Sequence, residues 1–491
     1  VIVALDIGTS SARARIYDER GLPVPGRAHQ EPYEPATTAD GGVEHDPDRL
    51  LHAVIACLDG ALAGGPRLSI LGVAVTSFWH GLLGFDSSGR PVTPIFTWAD
   101  TRAARDADLL RHALDEDAVH ARTGCHIHPC YWPAKLRWLG HDRPAILRKV
   151  ARWGSIGEHV EQTFLGEAST SLSMASATGL LDQRALGWDV ETLAAAEIEP
   201  RQLFPLRDKG DGRRGLRPRW ARRWPALVRA TWFPALGDGA TGTIGSDCAD
   251  PTRMALNLGT SAAMRFVAPE PLAPPRGLWS YRVDRRRALV GGATSEGGNV
   301  LAWLRNLLQL PADDEVEAAL AAAEPDSHGL TVLPFLVGER SPGWRSQQRA
   351  TISGLSLDTT ALDIARAGLE SVALRLALVY ALLAPLAAPG HAIVASGGAL
   401  RSRAWTQTIA DALGQPLQLS AEEEATSRGA ALLALESLGR VDDVRSLQAP
   451  PGPSVVPDRH RHARYREALR RQRRLDRAVQ SLGAARAPTT G

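Results

Sequence analysis

The sequence predicts an α/β chain built from two duplicated domains, and three observations carry that expectation. The stretch "ALDIGTSSA" at residues 4–12 returns 251 positions later as "ALNLGTSAA" at 255–263, with six of nine positions identical. Apolar strand-like runs alternate with helix-length segments on both sides of this repeat. At 491 residues the chain also exceeds what one hydrophobic core usually serves.

The elements follow in order. "VIVALDIG" and "RARIYDERG" read as two strands joined by a Gly-Thr-Ser-Ser turn. A helix around 48–63 precedes the buried strand "SILGVAVTSF" at 69–78. The stretch 205–225, rich in Arg, Gly and Pro, reads as the approach to the second domain. That domain restarts the pattern with "MALNLGTSAAMRFV" (254–267) and "ALVGGATSEGGNVLAWL" (288–304). A long helix over 359–386, the strand "HAIVASGG" (391–398) and the helix "SRAWTQTIADAL" come next. An arginine-rich helix, "RHARYREALRRQRRLDRAVQSL", and a Pro/Thr/Gly tail close the chain. Interspersed acids and a net charge of +2 make that helix a solvated closing element rather than a nucleic-acid surface.

Composition excludes several classes. Hydrophobic content of 44% and charged content of 22% fit an ordinary globular protein. The N-terminus reads as strand and turn, not as a signal peptide. The uncharged run "LALVYALLAPLAA" at 376–388 is shorter than the roughly 18 residues of a membrane span and contains Pro385. Four cysteines make no disulfide framework. The expectation is a cytoplasmic protein with reduced thiols and no membrane partner.

A turn of this kind suits a phosphate, because its backbone N–H groups point inward and its hydroxyls add donors. Gly8-Thr9-Ser10-Ser11 and Gly259-Thr260-Ser261 both fit, although a capped structural turn would use the same residues. Asp6, just before the first turn, would meet a metal ion rather than the phosphate, and Mg²⁺ takes a carboxylate together with waters and phosphate oxygens. One metal per nucleotide needs one such acid, which accounts for Asn257 in the second copy.

Other nucleotide-binding designs fail. A Walker A loop needs Gly-Lys, and none of Lys135, Lys149 and Lys209 follows a glycine. "GDGATG" at 237–242 satisfies G-x-G-x-x-G, yet Asn257 stands where a dinucleotide fold wants an acid. Asp238 within that stretch is either a helix N-cap or a general base for an attacking hydroxyl. "CHIHPC" at 125–130 matches no usual metal spacing and reads as packing and pocket lining.

Taken together, these residues resemble the FGGY family of carbohydrate kinases from Val1 to about residue 440. The motifs that carry the likeness include "TWADTR", "KLRWL", "GDGATGTIGSDC", "LNLGTSAAM", "GERSPGW", "ATISGLSLDTTALDIARAGLE" and "ASGGALRSRAW". The resemblance implies two actin-like ATPase (ribonuclease H-like) domains with the active site in the cleft between them. It divides the chain into a sugar-binding N-terminal domain over 1–234, a nucleotide-binding C-terminal domain over 235–445, and a helix and tail over 446–491. By the same resemblance Thr9, Ser10, Ser11 and Arg13 match the first phosphate turn and Asp6 the Mg²⁺-side acid. Gly259 and Thr260 match the second turn, while Gly298, Gly398 and Ser402 match positions near the adenosine. Asp238 matches the catalytic base, with Gly239 beside it at the substrate. Trp79 and His80 match the substrate-contacting pair, and Trp98 the pocket wall. Cys130, Trp132 and Gly368 depart from the commoner family residues.

The expected reaction is ATP- and Mg²⁺-dependent phosphorylation of a small sugar or sugar acid, with D-gluconate first. "TWADTR", "ASATGLLDQRALGWD" and "LPFLVGERSPGW" look more like the gluconokinase branch than the glycerol branch. His80-Gly81 keeps xylulose as the runner-up. Arg102 and Lys135 are the cations that could meet a carboxylate. A non-catalytic sugar or nucleotide sensor on the same fold would be expected to lose Asp6 or Asp238, and both are present. Partners are then the sugar and ATP, with a homodimer allowed and no nucleic acid.

Overall fold

The computed structural model describes residues 1–64, 68–448 and 452–485. The Pro/Thr/Gly tail lies outside them. The chain runs through β1 (Ile2–Ile7), β2 (Ser11–Tyr17), β3 (Pro23–Pro32), α1 (Pro47–Leu62) and β4 (Gly72–Ser77). It continues through α2 (Trp132–Asp142), α3 (Ile156–Leu165), β5 (Thr231–Trp232), β6 (Leu236–Gly237) and α4 (Asp238–Gly245). The repeat follows as β7 (Arg253–Leu258) and β8 (Ala262–Ala268), then α5 (Asn299–Leu307), α6 (Asp313–Ala322) and α7 (Ala361–Leu383). The last elements are β9 (Ala392–Ser396), α8 (Arg403–Leu413), β10 (Leu417–Leu419), α9 (Ala425–Ser437), β11 (Ser454–Val455) and α10 (Arg459–Ala485).

Two compact units form, and they interleave along the chain. The first contains Val1–Pro251, Phe266–Val290 and Glu424–Ala449, and the second contains Thr252–Arg265, Gly291–Glu423 and Pro450–Gly491. The sequence reading divides the chain contiguously instead, because it cannot see that 266–290 and 424–449 return to the first unit. The Arg/Gly/Pro stretch near 205–225 also packs inside the first unit rather than leading away from it. Trp220 and Trp224 stack at 5.1 Å, and both meet Phe164 edge-on.

The first unit is a sheet in the order β5-β4-β1-β2-β3, with β6 also paired to β4. Strand β1 shows why both faces are covered. Val3, Leu5 and Ile7 pack with Leu50, Val54 and Leu58 of α1 and with Ile156, Val160 and Phe164 of α3. Ile2 and Ala4 point the other way, onto Ala430, Ala431, Ala434 and Leu435 of α9. A strand buried on both faces has no polar side, so the run "IVALDI" is apolar except at one position.

In the second unit the strands stand in the order β8-β7-β9-β10-β11. Helix α7 is long and apolar enough to cross a bilayer by length and composition. Its Glu370 and Arg375 are nevertheless buried and partnered, Glu370 by His328 and Tyr465 and Arg375 by Glu339. It is a core helix.

Candidate active site

The exception in β1 is Asp6. With a side-chain period of two, Asp6 shares the face of Ile2 and Ala4 and so points toward α9 and α4. These two helices touch backbone to backbone. A Cβ on Gly245 would lie 1.8 Å from the Ala425 carbonyl oxygen, and one on Gly429 would lie 1.8 Å from that of Thr241. Neither position admits a side chain. Hydrogen bonds fix both helices to the sheet, from Thr241 to Thr76 at 2.9 Å and from Ser427 to Tyr17 at 2.6 Å.

That packing brings two more carboxylates to bear on Asp6. Asp238 is the first residue of α4, and Glu424 immediately precedes α9. Across the hairpin Asp6 pairs with Arg13, whose Nη1 is 3.5 Å from Asp6 and 3.6 Å from Glu424. The Asp6 carboxyl stands raised to about 7, chiefly by burial; Arg13 opposes that rise, and the charges of Asp238 and Glu424 add to it. Two acids thus share the Arg13 guanidinium while a third acts on Asp6 through its charge, a donor set that fits a divalent cation. Asp238 itself is half-buried, and its Oδ1 accepts the Gly239 N–H at 2.7 Å. It therefore lies inside the helix, and the N-cap position belongs to Gly237.

The first Gly-Thr turn closes where the Gly8 N–H donates to the Ser11 carbonyl at 2.9 Å. Tyr33 clamps it from outside through its hydroxyl to Gly8 O, at 2.7 Å. Ser10 is exposed, Thr9 is half-buried, and Ser11 is buried as the first residue of β2. Trp98 donates its indole N–H to the Thr9 hydroxyl at 3.4 Å, so the expected pocket wall reaches the turn itself.

Trp79 and His80 sit in a buried aromatic group. A Cβ on Gly237 would lie 1.8 Å from Trp79 Nε1, so the indole lies directly on the backbone that leads into Asp238. Its N–H donates to Ser173 O at 3.1 Å. His80 adopts a left-handed backbone (φ 67°), and its Nδ1–H donates to Ala177 O at 2.7 Å. Around these rings stand Tyr131, Trp279 and Tyr281, with the two tyrosine hydroxyls 2.6 Å apart. Sequence reasoning missed all three, along with Glu424. Only the run of glutamates before "ATSRGAALL" offered a signal for the last.

Two expectations are corrected. Lys135 is buried, and its ammonium donates to the carbonyls of His80 (3.0 Å), Thr97 (2.7 Å) and Cys130 (3.0 Å). Burial lowers it to about 8. It ties these three segments together and has its donors engaged. Arg102 is likewise enclosed, between Asp100 and Glu44 and over the Trp138 ring. Both cations are thus engaged inside the protein instead of standing open to a ligand. The 125–130 stretch packs as expected: His126 stacks on His120, and the Cys125 and Cys130 thiols are buried.

The second unit holds a cavity of about 720 Å³. Gly259, Thr260, Gly298, Gly398 and Ser402, read from the sequence as nucleotide positions, all line it. The loop before α5 lies on the second turn, with Gly298 N–H to Gly259 O at 2.8 Å and Asn299 N–H to Thr260 O at 3.2 Å.

Residues 1–245 match the N-terminal domain, and residues 254–438 the C-terminal domain, of the FGGY family of carbohydrate kinases. A gluconokinase of Bacillus subtilis is 27% identical over 96% of this chain and 94% of its own length. A glycerol kinase of Aromatoleum aromaticum is 31% identical over 96% and 98%. Among solved structures, a gluconate kinase from Lactobacillus acidophilus matches with a TM-score of 0.88 at 26% identity, over 97% of this chain and 98% of that one. A ligand-bound xylulose kinase from the same organism matches with a TM-score of 0.89 at 26% identity, over 98% of both chains.

Proposed function

Because this chain belongs to the FGGY family of carbohydrate kinases, whose members use ATP, we propose that it phosphorylates a small sugar acid, D-gluconate to 6-phosphogluconate, with Asp238 as general base. The observation that carries the phosphoryl-transfer reading is Asp238 itself. It is a half-buried carboxylate at the start of α4, hydrogen-bonded by the Gly239 N–H and set beside the Trp79 indole that covers Gly237. A substrate hydroxyl loses its proton to Asp238 and attacks the γ-phosphorus in line, while the bond from that phosphorus to the bridging oxygen breaks and ADP leaves. The Thr9 and Ser10 hydroxyls and the N–H groups of their turn meet the phosphoryl oxygens. Arg13 adds positive charge on the same side.

Asp6 would hold Mg²⁺, with Glu424 and Asp238 supplying the surrounding negative field. When bound, the ion supplies charge neutralisation on the phosphate oxygens. Gly259, Thr260, Gly298, Gly398 and Ser402 would hold the nucleotide in the second unit. Trp79, His80, Trp98 and Gly239 would form the sugar side.

Gluconate is favoured by the gluconokinase and the gluconate kinase structure among the relatives, and not by a cation, since Arg102 and Lys135 are engaged inside the protein. Xylulose is the second reading, favoured by the equally similar xylulose kinase structure. A coupled ADP-release assay over gluconate, xylulose, ribulose and glycerol tests both. The highest kcat/KM is expected for gluconate. A clear preference for xylulose transfers the assignment, and turnover confined to glycerol removes both.

A further inference from the structure

Glu424 stands at the N-cap of α9 and does not cap it. Asp, Asn, Ser and Thr usually take this position, because a short side chain folds back onto the first N–H groups of the helix. The Glu424 side chain makes no such bond, while its backbone carbonyl accepts the Arg428 N–H at 3.0 Å and the Ser427 hydroxyl at 3.1 Å. Its carboxylate turns to the first hairpin instead, with Oε2 3.6 Å from Arg13 Nη1. Arg13 Nη1 therefore stands between two acids at nearly equal distance, since Asp6 Oδ2 is 3.5 Å away. The Arg13 Nε–H is enclosed and meets no acceptor among the described residues. Charge places this guanidinium, and the balance of two carboxylates decides where it rests. The frame around that balance is fixed. Ser427 bonds Tyr17 at 2.6 Å, on the same strand as Arg13, and Arg428 donates to Gly245 O of α4 at 2.7 Å.

We infer that Glu424 is a positioning residue: it holds Arg13 back from full pairing with Asp6 and so keeps the guanidinium available to the phosphoryl oxygens of the nucleotide. The inference rests on the reading of the first hairpin as the phosphate side. Once Glu424 loses its charge, Asp6 is the stronger attraction on Nη1, and the two groups close into a pair. A guanidinium whose fork is turned onto a carboxylate keeps fewer donors for a phosphate. The sign of the effect separates this role from a simple field. A carboxylate near a polyanion repels it, so removing the Glu424 charge by itself tightens metal-free binding of ATP. Positioning through Arg13 predicts the opposite.

The test is calorimetric titration of the full chain with the β,γ-imido analogue of ATP in the presence of EDTA. Glu424→Gln is expected to weaken binding by about 3–30-fold. Glu423→Gln, which removes the same charge from the exposed neighbouring position, should leave it within about twofold. Tighter or unchanged binding by Glu424→Gln overturns the inference, and so does equal weakening by Glu423→Gln. The same Glu424→Gln change is then made in Arg13→Ala. No further weakening is expected, because the group through which Glu424 acts is gone. A loss of the same size in both backgrounds shows that Glu424 acts on α9 or on the ligand directly, and overturns the inference. Arg13→Ala alone tests the underlying reading. It should bind the analogue more weakly and AMP, which lacks the outer phosphates, as the parent does. Analogue binding as tight as the parent's removes Arg13 from the phosphate side, and the inference with it.

Discussion

The two glycine–threonine hairpins carry nearly the same residues but close differently. In the first, Ile7 stands opposite Ala12, and residues 8–11 make the turn. In the second, Leu258 stands opposite Ala262, and residues 259–261 make it. The tighter closure shifts every pairing beyond it by one. Asp6 faces Arg13, while Asn257 faces Ala263, the residue that corresponds to Ala12. Met264, which takes the place of Arg13 in the repeat, pairs with Leu256 and is buried. A carboxylate at 257 would therefore look across at a methyl group, whereas the amide of Asn257 reaches the Ser396 hydroxyl at 3.3 Å. Register, as much as the single substitution, makes one hairpin ionic and the other neutral.

The largest expected effect tests whether the acidic half carries the chemistry. Asp238→Asn should reduce kcat by roughly 10²–10⁴-fold while leaving nucleotide affinity near that of the parent. Near-normal turnover by the purified variant would remove Asp238 from the mechanism.

Asp6→Asn makes the first hairpin resemble the second. The Mg²⁺ concentration for half-maximal activity should rise by at least about 10–100-fold, since losing even an outer partner of a metal ligand costs that much affinity. Metal titration reads this directly, and an unchanged midpoint counts against the metal-side role.

The reciprocal change, Asn257→Asp, gives the second hairpin an acid opposite Ala263. It should cost about 1–3 kcal/mol at pH 8, measured by chemical denaturation. An unaltered midpoint would show that register does not decide which copy can carry the acid.

The smallest effect concerns Glu296, the buried acid beside Gly297 in the loop that lies on the second turn. Burial raises it to about 8, against the Val337 and Leu336 N–H groups and Arg340, which pull it down. The folded protein keeps this proton to higher pH than the unfolded chain, which releases it near the ordinary glutamate value. Its stabilising contribution is therefore complete in acid and is lost as pH climbs toward about 8. Glu296→Gln should flatten the fall of Tm between pH 5 and 8.5, and parallel curves for the two proteins would refute it.

Much of this was legible in the chain. Helices expected at 48–63 and 359–386 stand at Pro47–Leu62 and Ala361–Leu383, and the repeat located both hairpins. Gly298, Gly398 and Ser402 meet Gly259 and Thr260 around one cavity, although the sequence separates them widely. Lys135 and Arg102 were not legible, because a cation looks the same in the sequence whether it meets a ligand or a set of buried carbonyls and carboxylates. Tyr131, at the start of α2, and Trp279 and Tyr281, in one strand, were equally hidden, since aromatics at such positions are ordinarily core.

The sequence by itself determined the α/β alternation, the duplication and the family, because periodicity, turn chemistry and motif order are local properties of the chain. Only the tertiary structure decided that 266–290 and 424–449 return to the first unit. It also decided that Glu424 and Asp238 converge on Asp6 through the Gly245–Gly429 contact, and that the two hairpins differ by one residue of register. The reason is that charge and burial depend on distances between segments far apart in the chain, and packing alone sets those distances.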